Sequence, residues 1–265
     1  LLGEAGAWTA PAPGRPARAQ GAARWQDLPL SWLTVWANTD VQNDVMLQGQ
    51  IQVQMDQDLS VTASVQRSRG DLLIHTENAA GQRWPAGLRE ARALLRIHNE
   101  NIQTELSWDS EHLGQIQAQL QSRLAQTTEG WQWSEQAPLS GKVQARLPKV
   151  GAWSVLAPPG WRVQGTLDAQ FDLSGTRTQP QWQGRLQADN LAVRSAVQGI
   201  EFSQGQLQAR LQAQELILER LSLRGAGAQG GELQARGEIS FAPTGRATPG
   251  SSTSPLSAAR MTLQM

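Results

Sequence analysis

The chain has 265 residues and contains no cysteine and no tyrosine. The first absence removes disulfides, thiolate metal sites and Cys nucleophiles. It is compatible with an envelope protein and with a cytosolic one. The second absence stands against 11 tryptophans. It argues against an outer-membrane barrel, whose interfaces carry girdles of both Tyr and Trp. An excess of one charge is missing too: 23 Lys+Arg balance 23 Asp+Glu. Nothing builds a basic field, so no nucleic-acid partner is expected. No apolar run reaches the length of about 18 residues that a membrane-spanning helix needs. The opening "LLGEAGAWTAPAPGRPARAQ" has neither a basic n-region nor an apolar h-region, and so is not a signal peptide. The last residues, "AARMTLQM", stop inside an alternating pattern, and the chain is expected to be an internal fragment of a longer protein.

What is present is alternation. In "GWRVQGTLDAQFDLSG", Trp161, Val163, Leu167, Ala169, Phe171 and Leu173 take every second position, with Arg162, Gln164, Thr166, Asp168, Gln170 and Asp172 between them. A period of two marks a strand with one apolar and one polar face. "VMLQGQIQVQM", "LSVTASV", "DLLIHTE", "NIQTELSWDS", "GQIQAQLQSRL" and "PLSGKVQARLP" repeat it, as do four or five strands between Gly199 and Phe241. "GLREARALLRIHNE" is ambiguous by composition and is assigned to strand, because the next strand follows directly after the "NEN" turn. Two short helices are expected. One lies in Trp25–Asp40, where Leu30, Leu33 and Trp36 recur at helical spacing. The other lies in residues 149–160, where Val150, Trp153 and Leu156 do so before Pro158 and Pro159.

A weak internal repeat relates "LPLSWLTVWA" to "LPKVGAWSVLA", each followed by an alternating strand with a central glycine. The expected organisation is a linker or loop at 1–24, a first β module at 25–147 and a second at 148–241. A flexible Pro/Gly/Ser/Thr loop at 242–255 and the start of a further strand at 256–265 follow.

Site chemistry is sparse. His75, His98 and His112 have no metal-ligand spacing, and no cysteine can join them. No serine lies in a G-x-S-x-G elbow. "GAGAQG" at 225–230 matches G-x-G-x-x-G, but an alternating strand follows it and not a helix, so a hairpin loop is expected there. No catalytic residue, metal or cofactor is nominated, and the chain is not expected to be an enzyme.

Many one-faced strands can be satisfied by a sandwich, a lipid-facing barrel, a closed β-helix or an open groove that takes a long-chain ligand. The missing tyrosine disfavours the barrel. Hairpin-like links between roughly fourteen strands disfavour a single sandwich. Small residues interleave with Leu and Val on the apolar face (Ala169, Ala188, Ala209, Ala235, Gly165, Gly184). They suit either tight curvature or room for a ligand.

The ordered series "LPLSWLTVWANTDVQNDVMLQGQIQVQ", "APLSGKVQARLPKVGAWSVLAPPGWRVQGTLDAQFDLSG…" and "LILERLSLRGAGAQGGELQARGEISF" resembles the TamB family, the translocation and assembly module proteins of Gram-negative bacteria. These group with AsmA-like, bridge-like lipid-transfer proteins. The similarity spans about residues 25–241 and is strongest from Gly165 to Arg194. It implies an all-β fold, a long antiparallel β-meander curled into an open hydrophobic groove, in the periplasm. The implied inner-membrane anchor lies outside this chain. The implied role is to carry phospholipid between membranes and support outer-membrane biogenesis. The implied partners are phospholipid acyl chains and, through a region outside this chain, a TamA-type outer-membrane barrel. A chaperone-like scaffold for outer-membrane protein strands and an adhesin-like β-solenoid are the alternatives. The residues that would line the groove are Leu47, Ile51 and Val53; Val143; Val163, Leu167, Phe171 and Leu173; Leu186; Leu207 and Leu211; and Leu233 and Ile239.

Overall fold

The computed structural model describes residues 2–9, 18–34, 43–56, 58–75, 83–128, 130–151, 160–195, 198–213, 215–226, 230–241 and 256–264. The chain divides into two compact units, Leu1–Gly141 and Lys142–Met265. Both are antiparallel β-structure, and the strand ladder of each is open, so the fold is all-β and unclosed.

The first unit contains β1 (Leu2–Thr9), β2 (Arg18–Pro29), β3 (Met46–Met55), β4 (Leu59–Arg69), β5 (Leu73–His75) and β6 (Arg83–Pro85). It continues with β7 (Leu88–His98), β8 (Asn101–Ser110), β9 (Gly114–Arg123), β10 (Ala125–Thr127) and β11 (Gly130–Gln132). Its main ladder runs β1-β2-β3-β4-β7-β8-β9. The three-residue pairs β5-β6 and β10-β11 are hairpins inserted between ladder strands. β12 (Leu139–Leu147) crosses the division between the units. The second unit continues with β13 (Trp161–Gly175), β14 (Pro180–Ser195), β15 (Ile200–Ala213), β16 (Glu215–Gly225), β17 (Glu232–Phe241) and β18 (Leu256–Gln264), paired in sequence order. A sandwich would need a second sheet of comparable size. Among the described residues the only other sheets are the two small hairpins.

The register keeps most apolar positions of neighbouring strands on one face; Leu94, between Ser64 and Glu105, and Ile217, between Arg210 and Glu238, lie on the other. In the second unit the directly opposed residues form rows across the ladder. One row is Leu167–Ala188–Leu207–Leu221–Ala235, and the next is Ala169–Leu186–Ala209–Leu218–Gly237. A third is Phe171–Gly184–Leu211–Leu216–Ile239. Large and small side chains alternate within the first strands of each row and from one row to the next. Cross-strand neighbours therefore interdigitate in the plane of one sheet. The first unit does the same, with Ala23–Ile51–Ala63–Leu95–Thr104–Leu120 beside Gly21–Val53–Val61–Ile97–Ile102.

A single sheet cannot bury a face by stacking, yet both units have a buried cluster. Val45, Leu47 and Leu88 form one; Ala188, Leu191 and Leu223 form the other. Each sits on a line of register shifts that crosses adjacent strands. In the second unit the shifts fall at 164–166 in β13, 188–191 in β14 and 203–206 in β15. Gly165 (φ 132), Asn190 (φ 52) and Gln204 (φ 51) occupy them in left-handed backbone. In the first unit they fall at 25–28 in β2, opposite 47–49 of β3, at 67–69 in β4, opposite the 46/47 step of β3, and at 88–90 in β7. A bulge bends its strand and raises the local twist. Aligned bulges bend neighbouring strands together, which brings apolar residues of one face into contact with each other.

Three expectations are corrected. The helix expected in Trp25–Asp40 is reduced to the four-residue α1 (Ser31–Thr34). Trp25 and Leu28 are instead ladder residues of β2, opposite Gly49 and Leu47. A helix of two turns is marginal by itself, whereas β3 offers a full row of hydrogen bonds; Trp36 lies outside the described residues. Of the second helix, expected at 149–160, no α-helical turn is seen among the described residues. Val150 and Gly151 are in 3₁₀ conformation, and Trp153, Leu156 and the prolines lie outside the described residues. The expected linker at 1–24 contains β1 and the first half of β2, because backbone pairing needs no apolar period. The boundary expected at 147 and the division after Gly141 both fall on β12. The 242–255 loop lies outside the described residues, and β18 follows it. Residues 88–98 are strand, and "GAGAQG" lies in the β16–β17 hairpin, closed by the Gly225 N–H to the Gly231 carbonyl at 2.8 Å.

Candidate functional site: the apolar sheet face

The polar faces are solvated and locally paired. Arg96 meets Glu105 at 3.4 Å, Arg146 meets Asp168 at 3.2 Å and Arg210 meets Glu219 at 3.4 Å, all with exposed side chains. Arg185 donates to Gln170 across β13 and β14. Such pairs contribute only a few tenths of a kcal/mol, about 0.2–1. They define the outer wall and no site. Among the described residues no group of three His, Asp or Glu could hold a metal ion. His98 and His112 lie at a strand end and in a turn, and His75 lies in β5.

The candidate groove residues all occupy apolar-face positions. Val163, Leu167, Leu207 and Leu233 pack around the Ala188–Leu191–Leu223 cluster. Phe171 and Leu211 flank Gly184, and Leu186 lies between Ala169 and Ala209. Leu173 is buried opposite Trp182, and Ile239 pairs with Leu216. Ile51, Val53 and Val143 are half-buried, with Ile51 opposite Ala23 and Ala63, and Val53 opposite Gly21 and Val61. Leu47 is 6% exposed, inside the first unit's cluster, and so is the least accessible of the set.

The glycines on this face are covered by their neighbours. The ring of Trp25 lies over Gly49, and the ring of Phe171 lies over Gly184. Gly205 is similarly overlain by Leu191 and Leu223. Clearance for a ligand therefore comes from half-buried larger residues and from gaps in this cover. Leu106 is such a place. It stands between Ala93 and Ala118 and is 44% exposed.

One rim of the first unit is tied by a carboxylate. Asp71 accepts the backbone N–H groups of Leu72 (2.7 Å), Gly87 (2.9 Å) and Leu88 (3.1 Å). Asp44 accepts the Asp71 N–H at 2.6 Å. Ser110, buried, donates to the Ala86 carbonyl at 2.6 Å and accepts from the Leu113 N–H at 3.0 Å. These bonds fix the starts of β3 and β7 and the β8–β9 turn around Val45 and Leu88. At the opposite strand ends a pocket of about 410 Å³ opens between Ile102, Ser122 and Leu139. The Trp133 indole donates to Ser122 Oγ beside it at 2.8 Å.

One residue of the apolar face was missed in the sequence. Arg67 sits directly opposite Leu47 and is half-buried. The signal was present: Leu59, Val61, Ala63 and Val65 alternate straight into Arg67.

An open ladder of long antiparallel strands, apolar on one face and with no second sheet among the described residues to cover it, defines a groove-forming β protein and not a sandwich. The family described as TamB, N-terminal domain, matches residues 17–188, well over half of the chain. The chain belongs to the TamB family. Neither a curated protein nor a solved structure matches it. Membership ties the chain to the translocation and assembly module of the bacterial envelope, a structural and transport module that works with a TamA-type partner.

Proposed function

We propose that the apolar face carries phospholipid acyl chains, as a segment of a periplasm-spanning β-groove anchored in the inner membrane outside this chain. The observation that supports this reading is the apolar register, which resumes on the same face after each shift. Row after row from Leu167 to Gly237 stays on one face, with no second sheet among the described residues to cover it. Each methylene moved from water onto such a face gains about 0.8 kcal/mol. A chain held along uniform rows has no single minimum and can slide. The headgroup remains in water at the rim, so no dense polar pocket is needed.

Photo-crosslinking residues placed at Leu167 and Leu207 are expected to capture phospholipid from membranes. The same probes at Gln170 and Gln208, on the polar face, are not. Equal capture on both faces would remove the groove reading.

A further inference from the structure

Arg67 is the single charged residue at the paired apolar-face positions of β2, β3, β4, β7, β8, β9 and β13–β17 among the described residues. Leu47 lies directly opposite Arg67, which continues the alternation of Val61, Ala63 and Val65 up to the register shift at 67–69. It lies opposite Leu47, a member of the buried cluster on which Val65, Ala91 and Trp108 pack. A guanidinium there loses part of its hydration, so it needs acceptors.

The protein supplies one. Arg67 Nε donates to the Gly70 carbonyl at 2.7 Å. No described residue accepts from the two terminal nitrogens. The nearby carboxylates are committed elsewhere: Asp27 to Arg69 at 3.0 Å, Asp71 to three backbone N–H groups, and Asp44 to the Asp71 N–H. The imbalance is reinforced by two tryptophans. Trp25, over Gly49, and Trp108, against the Leu47 cluster, each hold a buried indole N–H without an acceptor. This end of the face therefore holds donors that no described acceptor meets.

We infer that Arg67 is a station for a phosphate-bearing amphiphile, its guanidinium holding the phosphate while the acyl chain lies along the rows of Ile51 and Val53. The inference rests on the reading that this face carries acyl chains. The Nε bond to Gly70 sets the plane of the guanidinium, leaving its outer edge to two phosphate oxygens, the paired geometry Arg favours and Lys cannot copy. The residue gives a uniform apolar trough one point of registration.

The test uses the full chain and three probes: lysophosphatidic acid, a monoacylglycerol with the same acyl chain, and inorganic phosphate, titrated calorimetrically. The wild type is expected to bind the lysophosphatidic acid on the order of tenfold tighter than the monoacylglycerol. Arg67→Gln is expected to equalise the two while keeping the monoacylglycerol affinity, and Arg67→Lys to retain a reduced preference. Arg89→Gln, at a cation paired with Asp109 on the polar face, is expected to change neither. An undiminished preference in Arg67→Gln would overturn the station and leave the acyl-chain reading standing. Binding of neither amphiphile by the wild type would overturn both. Inorganic phosphate binding as tightly as lysophosphatidic acid would show a free-anion site and overturn the amphiphile assignment. Retained amide protection at Gly87 and Leu88 verifies that the variants keep the fold of this rim.

Discussion

The ring of Phe171 lies over Gly184, its direct partner on β14. A Cβ built on Gly184 would come within 2.6 Å of Phe171 Cδ1 and also meet the Gln170 carbonyl. An aromatic ring shields the backbone that glycine leaves bare. Gly184→Ala is expected to cost about 1–3 kcal/mol, the usual range for overpacking. Phe171→Leu in the same chain should restore part of it, because the backbone contact remains. Urea unfolding of the two single variants and the double variant measures the coupling; strict additivity would mean that ring and glycine do not meet.

Asp71 holds three backbone N–H groups of one rim. Removing the carboxylate leaves partly buried donors unpaired, so Asp71→Ala should destabilise the first unit by about 2–4 kcal/mol. Hydrogen exchange at Gly87 and Leu88 should accelerate most. A change confined to Leu72 would mean that the long-range bonds carry little.

Gln204 has φ 51 within a line of bulges. Glycine adopts this conformation without steric cost and a β-branched residue resists it. Gln204→Gly is therefore expected to stabilise by about 0.5–1 kcal/mol and Gln204→Val to destabilise by at least as much. Its contact with Arg224 is exposed and offsets little. Thermal unfolding distinguishes the two directions, and destabilisation by both would place the strain elsewhere.

Leu207 packs on the Ala188–Leu191–Leu223 cluster, whereas Gln208 faces solvent. Leu207→Glu should abolish phospholipid recovery with the purified chain, as read by native mass spectrometry. Gln208→Glu should leave it unchanged. Loss in both variants would point to net charge as the cause, not the face.

Arg96 and Glu105 form a polar-face pair at 3.4 Å, each side chain 52% exposed. Neutralising either residue is expected to change stability by less than about 0.5 kcal/mol, with little dependence on salt. Denaturant midpoints within error of the wild type would confirm that the outer wall serves solubility.

Much of the fold was legible because alternation is local. Val163, Leu167 and Phe171 could be assigned to one face from spacing alone, and each lies there. The groove candidates failed to anticipate cover: Leu47 is spaced like Ile51 and Val53, yet it lies under Leu28 and Leu30. Periodicity gives the side of the sheet and says nothing about what lies above it. The small residues were open to two readings, room for a ligand or tight curvature. Gly184 lies beneath Phe171 and Gly49 beneath Trp25, a pairing that depends on the neighbouring strand.

The sequence by itself determined that the chain is β, that its strands are amphipathic and that it belongs with TamB proteins. Those properties follow from side-chain order and composition, which every residue carries locally. Only the tertiary structure decided the register that aligns the rows, the bulges that stand side by side on adjacent strands, and the strand pairing of Trp25 where a helix was expected. It also decided that Arg67 stands alone on the apolar face with its neighbouring carboxylates already engaged. Each of these depends on backbone hydrogen bonds between residues distant in sequence, and their partners are chosen only when the sheet forms.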